Sequence, residues 1–241
     1  MEVTGKINLK VLKETDVSKM KSYESGMIYE TEGNRYHIFR FKLKVSPVYD
    51  QKPFVLKAIT GFGYEWNEYR NPNFLLFVNG EPLQAFDYGH HECIITNSAK
   101  AYDEYDCFIF EFSGMKKGPV QLTLKTCSLD FPTEDLYYDV LCPAESVQYI
   151  ESEAIRKDTL KYLINAINMV DLRKPYSDEY YDTVKKADAY LLEEYYNNYC
   201  DDDTSKVTVA AVGHSHIDVA WRWPLKETKQ NTGSTFTTHL K

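Results

Sequence analysis

Residues 39–45, Phe-Arg-Phe-Lys-Leu-Lys-Val, alternate apolar and basic side chains without exception. Successive side chains of a β-strand point to opposite faces, so this stretch predicts a strand with one face in a core and the other in water. Similar short runs, each ended by turn residues, occur at 7–11, 54–59, 74–78, 93–96, 107–112 and 120–124. Asn79-Gly80 is a hairpin signal, because both residues tolerate positive φ. Many short strands at this spacing predict a jelly-roll-like β-sandwich over residues 1–145.

Near Pro143 the spacing of the apolar residues changes from the alternation of strands to the three- and four-residue spacing of helices. A segment without internal Gly or Pro carries one apolar series: Ile155, Leu160, Leu163, Ile164, Ile167 and Val170. After a break at Pro175, Ser177 is a candidate N-cap, with Asp178 and Glu179 in the first turn. A second apolar series follows: Tyr180, Val184, Ala187, Leu191 and Tyr195. Residues 146–205 are therefore predicted to be a connector of two helices.

The C-terminal segment contains the candidate metal-binding residues. Residues 207–212, Val-Thr-Val-Ala-Ala-Val, predict a buried strand, and the block GHSHIDVAWRWPLKET follows at 213–228. His216 and Asp218 lie two residues apart and so share one side of an extended chain. Imidazole and carboxylate groups are ligand types that zinc accepts. A catalytic zinc site takes about three protein ligands, so at least one more would come from elsewhere.

The string HSHIDVAWRWPLKET at 214–228 resembles the opening of the catalytic domain of family 38 glycoside hydrolases, the zinc-dependent α-mannosidases. It is most similar to their cytosolic and bacterial branch. The resemblance implies that His216 and Asp218 are zinc ligands and that Trp221 lies in the sugar-binding pocket. It also implies that His214 orients the ligands by a hydrogen bond. The remaining matches, interpreted as packing and capping residues, are Trp223, Pro224, Glu227 and Thr228.

The resemblance implies a retaining hydrolysis of α-linked mannose in glycans. In such a reaction an Asp attacks the anomeric carbon and a second carboxylic acid protonates the leaving oxygen. Zinc would grip the hydroxyls of the mannose ring and help to distort it toward the transition state. In the family the nucleophile, the acid and the other zinc ligands follow this motif. None can be assigned within residues 1–241, so we expect the chain alone to be inactive.

The predicted fold class is a multi-domain α+β chain. It comprises the N-terminal β-sandwich, two connecting helices, and the first strand and loop of a truncated α/β barrel catalytic domain over residues 206–241. A lone parallel strand exposes unpaired backbone and apolar side chains, so we expect residues 206–241 to be poorly ordered or prone to aggregation. Residues 74–95 also resemble the domain that precedes the catalytic domain in the same branch.

The composition of the chain limits the classes of partner that we expect for it. Lys and Arg total 28 against 36 Asp and Glu, and the net charge of −8 argues against nucleic acid or an anionic membrane as a partner. No apolar run is long enough to span a bilayer. Five widely spaced cysteines without a C-x-x-C pair indicate reduced thiols and a cytoplasmic protein. The resemblance implies a mannose-containing oligosaccharide substrate, and a homo-oligomer of the full-length enzyme is compatible with it.

A second function class stays open. The chain could be a non-catalytic β-sandwich module that binds carbohydrate or a partner protein and retains a vestigial catalytic segment. The aromatic content of 15% suggests sugar stacking, but aromatic residues also fill pleated surfaces. A polar cluster contains Asp87, His90, His91 and Glu92. Adjacent strand residues face opposite ways, so we interpret this cluster as a loop contact and not as a metal site.

Overall fold

The computed structural model describes residues 18, 20–60, 72–86, 89–114, 117–200, 210–212, 217–220 and 225–239. The chain divides into two compact units. The first unit comprises residues 1–129 together with 212–241, and the second comprises residues 130–211. The predicted strand at 7–11 lies outside the described residues.

The first unit contains eight described strands. They are β1 Ile28–Thr31, β2 Tyr36–Lys44, β3 Phe54–Thr60, β4 Asn73–Val78, β5 Glu81–Phe86, β6 Glu92–Thr96, β7 Glu104–Phe112 and β8 Gly118–Cys127. Four described α-helices follow: α1 Phe131–Ser146, α2 Glu153–Met169, α3 Asp178–Tyr190 and α4 Leu225–His239. Short 3₁₀ turns occur at Pro47–Tyr49 and Val147–Tyr149, and a π-helical segment, Leu191–Asn197, continues α3.

The strands form two antiparallel four-stranded sheets, ordered β1-β8-β3-β6 and β2-β7-β4-β5. Strand β1 pairs with β8, β2 with β7, β3 with β6, and β4 with β5. The chain is thus one long antiparallel hairpin rolled into two sheets, which is the topology of a jelly roll. The predicted β-sandwich is confirmed.

The turn between β4 and β5 is the one that the sequence predicts. Asn79 has φ 51° and Gly80 has φ 93°, and Val78 pairs with Glu81 across the turn. Both central residues have positive φ, as a type I′ turn requires, and this turn matches the twist of the two strands.

The sandwich core contains apolar side chains from both sheets. Its largest fully buried members include Phe54, Leu56, Phe74, Leu76, Ile109 and Leu122. Cys93 and Cys107 are also buried there, and burial raises the pKa of the Cys107 thiol to about 12. The alternation of β2 is confirmed, because Leu43 is buried in this core while Lys42 and Lys44 are exposed.

The outer face of the sheet β2-β7-β4-β5 is also apolar over much of its area. A second buried cluster there contains Leu75, Phe77, Ala85, Phe108 and Phe110. Helix α4 packs on this face at β4 and β5. The Ala85 amide, on the β5 edge strand, donates to Thr238 Oγ1 of α4 at 3.3 Å. The helix therefore covers both an apolar surface and a strand edge that would otherwise be open.

One buried carboxylate lies inside the sandwich. Glu111 of β7 is directly opposite His37 of β2, and Glu111 Oε2 lies 2.8 Å from His37 Nδ1. The Glu111 side chain is 0% exposed, whereas His37 is one third exposed. The Tyr29 hydroxyl is also buried nearby; burial raises the pKa of Tyr29, and the Glu111 carboxylate raises it further. Glu111 thus depends mainly on His37 for compensation of its buried charge.

The second unit confirms the predicted helices. Ser177 caps α3, and its hydroxyl accepts the amide hydrogen of Tyr180 at 3.2 Å. The predicted apolar series on α3 and its π-helical continuation is buried throughout: Tyr180, Val184, Ala187, Leu191 and Tyr195. On α2 the buried face is instead Thr159, Leu163 and Ala166. Most of the predicted α2 series is exposed, namely Ile155, Leu160, Ile164 and Ile167. Only part of that series faces the core of the unit.

One boundary differs from the prediction. The last described strand of the sandwich ends at Cys127, and α1 occupies Phe131–Ser146, so the sandwich does not extend to residue 145 and a third helix precedes the two predicted ones. The start signals of α1 are Asp130, whose carboxylate accepts the Thr133 amide hydrogen at 3.4 Å, and Pro132 in the first turn. The buried Pro143 lies near the C-terminal end of α1, where it interrupts little of the helix.

The strand predicted at 207–212 is wrong over its described part. Residues 210–212 lie in no strand, and Val212 is 79% exposed; residues 207–209 lie outside the described residues. A parallel strand without neighbours leaves its backbone groups unpaired, and no strand of the described structure pairs with residues 210–212. The expectation that residues 206–241 are poorly ordered or prone to aggregation stays a prediction; within this segment, Leu225–His239 forms α4, which packs on β4 and β5. No helix in the described parts of the chain is long and apolar enough to cross a bilayer.

A pair of carboxylates makes the helical unit sensitive to pH. Burial, then a hydrogen bond and repulsion from Asp188, raise the pKa of Asp139 above its ordinary value. The folded state therefore binds this proton more tightly than the unfolded state. Its contribution to stability is fully present below the unfolded pKa of about 3.9 and is lost as pH rises through the folded pKa.

We therefore expect Asp188→Asn to raise the melting temperature near about pH 7 and to change it little near about pH 3, where Asp139 is protonated in both states. Thermal melts followed by circular dichroism at the two pH values test this. Asp182→Asn removes an exposed carboxylate from the same helix and serves as the control. An equal gain from Asp188→Asn at both pH values would contradict the assignment.

Candidate functional site

Of the predicted site residues, the structure describes Asp218. His216 and Trp221 lie outside the described residues, as do the other motif residues His214, Trp223 and Pro224. Asp218 is half-buried and belongs to a short loop, residues 217–220, that precedes α4.

Thr228, in the first turn of α4, anchors the loop that contains Asp218. Its Oγ1 accepts the Ala220 amide hydrogen at 3.0 Å and lies 3.4 Å from the Asp218 carbonyl oxygen, to which it donates. Thr228 is buried. Ala220 has φ 54°, in the left-handed region that costs a non-glycine residue energy. The interpretation of Thr228 as a capping and packing residue agrees with these contacts.

Helix α4 is itself attached to the sandwich through Asn73 of β4. Asn73 Oδ1 accepts from Ser234 Oγ at 2.7 Å and from Gln230 Nε2 at 3.5 Å, while Asn73 Nδ2 donates to Asn231 Oδ1 at 3.4 Å. Ser234 and Gln230 are buried. Buried polar groups are stable when they are hydrogen-bonded, so this network fixes one helix face against one strand.

A cleft of about 280 Å³ lies between α4 and the outer face of β4 and β5. Asp218 lines it together with two imidazoles, His90 and His239. The other lining residues are Asn73, Ala85, Ile217, Asn231, Ser234, Thr235 and Thr238. The cleft combines one carboxylate with amide, hydroxyl and imidazole groups, a set that can hydrogen-bond a polar ligand or contribute to metal binding.

Among the described residues, no three His, Cys, Asp or Glu side chains lie close enough together to hold a metal ion. Asp218 contributes one carboxylate to the cleft, a group of a type that zinc accepts, and His216 lies outside the described residues. A complete zinc site would need at least one further group.

The structure brings His90 to the same cleft as Asp218, although the sequence suggested only a loop contact for it. Its neighbour Glu92 is engaged elsewhere, in an ion pair with Lys57 at 2.6 Å; Asp87 lies outside the described residues. His239 and Asn73 were not predicted as site residues. They reach the cleft only because α4 packs on β4 and β5, and a tertiary contact of this kind leaves no local sequence signal.

Glu227 is a second carboxyl group in the first turn of α4. Burial raises its pKa, and its Oε2 is buried without a hydrogen-bond partner in the described structure. The pKa of Tyr36 is raised by burial and then by this carboxylate. The position near a helix N-terminus favours negative charge, which offsets part of the desolvation cost.

Residues 206–241 match the family model described as glycosyl hydrolases family 38 N-terminal domain. The resemblance to family 38 predicted from the sequence is thereby confirmed for this segment, and the match supports a glycosidase. A comparison of the chain with curated proteins found no match.

Proposed function

We propose that the protein acts as an α-mannosidase that hydrolyses α-linked mannose in glycans with retention of configuration. The observation that carries the proposal is the family 38 match over residues 206–241, a segment that includes the His-x-His-x-Asp block. Asp218 in a polar cleft is compatible with a role at a sugar or metal site. The five widely spaced cysteines, which indicate reduced thiols, support a cytoplasmic location for it.

Within this proposal His216 and Asp218 would hold a zinc ion, and Trp221 would pack against the sugar ring. When bound, zinc would supply Lewis-acid stabilisation of the sugar hydroxyls. Because Asp218 is half-buried, water would compete less with its carboxylate for the zinc ion. The nucleophile and the acid would come from parts of the enzyme beyond the matched segment, so the present chain alone would be inactive.

The test is hydrolysis of an aryl α-mannoside by this chain and by the product of the complete gene, each after chelation and with or without added zinc. We expect activity only in the complete, zinc-loaded protein, and a loss of about 100-fold or more in Asp218→Asn. Aryl β-mannoside and aryl α-glucoside serve as substrate controls. Preference for α-glucoside would contradict the mannose assignment. Inactivity of the complete protein on all three would favour the alternative of a non-catalytic β-sandwich module.

A further inference from the structure

One row of polar side chains on α4 lines the cleft between this helix and the sheet. Asn231, Thr235 and His239 follow one another at intervals of four residues, and all three line the cleft. Residues at this interval lie on the same side of a helix, with roughly 6 Å from one to the next. The row therefore presents an amide, a hydroxyl and an imidazole to the cleft.

The neighbouring residues of α4 hold the helix in place. Ser234 Oγ donates to Asn73 Oδ1 of β4 at 2.7 Å. Thr238 Oγ1 accepts the Ala85 amide hydrogen at 3.3 Å and donates to the Ser234 carbonyl oxygen at 2.9 Å. These bonds fix the helix wall of the cleft against the sheet.

The row itself keeps groups that can bind a ligand. Among the described residues, neither Thr235 nor His239 has a hydrogen-bond partner. Asn231 Oδ1 accepts from Asn73 Nδ2 at 3.4 Å, and the Asn231 amide nitrogen can still donate. The cleft thus combines fixed walls with polar groups that the fold does not use, an arrangement typical of small-molecule sites.

The lining favours a neutral ligand that carries several hydroxyl groups. Among the described lining residues, Asp218 has the one carboxylate, and none is Lys or Arg. Phosphate and carboxylate ligands are ordinarily recognised by those two cations. An amide, a hydroxyl and a neutral imidazole each donate and accept hydrogen bonds, and ligand hydroxyl groups do the same.

The geometry points to a site for one sugar unit in this cleft, held by Asn231, Thr235 and His239 without a metal ion. The volume of about 280 Å³ is near the lower end of small-molecule sites, about 300 Å³, and so suits one ring better than a chain. The choice of a sugar rests on the proposed function, whereas the neutral, hydroxyl-rich character of the ligand follows from the lining. The sandwich takes part in the site, because β4 and β5 form its other wall.

The experiment titrates methyl α-mannoside into this chain in the presence of a chelator and follows the backbone amide signals by NMR. We expect saturable shifts at residues 231–239 and in β4 and β5, with a dissociation constant on the order of 1 mM. Inorganic phosphate is the competing probe. Shifts at these residues with phosphate alone would overturn the neutral-ligand assignment, and no shift with either probe would overturn the site.

Variants of the row test which groups bind the sugar. Thr235→Val keeps the shape of the side chain and removes the hydroxyl, so we expect about fivefold weaker binding, while Thr235→Ser binds as the wild type does. Thr237→Val is the matched control, since Thr237 belongs to the same helix but does not line the cleft. Equal weakening by both valine variants would overturn the assignment. His239→Leu, at an exposed position, is expected to weaken binding by a similar factor without disturbing the fold.

The site and the proposed activity can fail separately. Sugar binding is measured on this chain without metal, whereas hydrolysis is measured on the product of the complete gene with zinc. An active complete enzyme together with no mannoside binding here would overturn the site alone. Mannoside binding here together with an inactive complete protein would leave the site in place and overturn the activity.

Discussion

Replacing His37 with leucine is expected to lower the free energy of unfolding by about 3 kcal/mol, because it leaves the Glu111 carboxylate buried and uncompensated. Glu111 is 0% exposed, and His37 Nδ1 lies 2.8 Å from its Oε2. Leucine fills much of the imidazole volume and admits little water, so the carboxylate keeps only the neighbouring Tyr29 hydroxyl as a possible partner. Urea unfolding followed by circular dichroism measures the change.

Two further variants separate the lost interaction from lost packing. Glu111→Gln keeps a hydrogen-bonding group opposite His37 without a full charge, so we expect a cost of only about 1 kcal/mol. The double variant His37→Leu with Glu111→Leu removes both polar partners, and we expect it to be more stable than His37→Leu alone. If the free energy of unfolding of His37→Leu lies within about 0.5 kcal/mol of the wild-type value, Glu111 does not need His37 to compensate a buried charge.

The sandwich was predictable because its signals are local. Strict alternation in residues 39–45, contiguous apolar runs in β4 and β7, and the Asn79-Gly80 turn each specify a strand or a turn without reference to the rest of the chain. Strand β5 carried a weaker signal, since it contains Pro82, and it lies at a sheet edge where proline is tolerated. Helix α1 was missed because its start signals stand among aromatic residues and before an internal proline.

The site was less predictable because it depends on how α4 packs. The motif identified His216 and Asp218 as residue types that bind metals, and the family match supports a family 38 origin for residues 206–241. The cleft, however, is built from Asn73 on β4, His90 before β6 and His239 at the end of α4. These residues are far apart in sequence, and only the packing of α4 on the outer face of the sheet brings them together.

That packing leads to a prediction about two neighbouring residues of β4. Leu76 points into the sandwich core and is 0% exposed, and Leu75 points to the opposite face and is 3% exposed. In a sandwich with a hydrated outer face, only the inner residue would matter. Here we expect Leu76→Ala and Leu75→Ala to cost about 2–4 kcal/mol each, because both leave a cavity in a packed layer.

The opposite sheet provides the control for this pair. Ile94 of β6 lies on the outer face of the sheet β1-β8-β3-β6 and is 38% exposed, so Ile94→Ala should cost less than about 1 kcal/mol. Chemical denaturation of the three variants measures the difference. A cost for Leu75→Ala as small as that for Ile94→Ala would mean that the face beneath α4 is hydrated. It would also mean that α4 is not packed on β4 and β5, and the position of the loop that contains Asp218 depends on that packing.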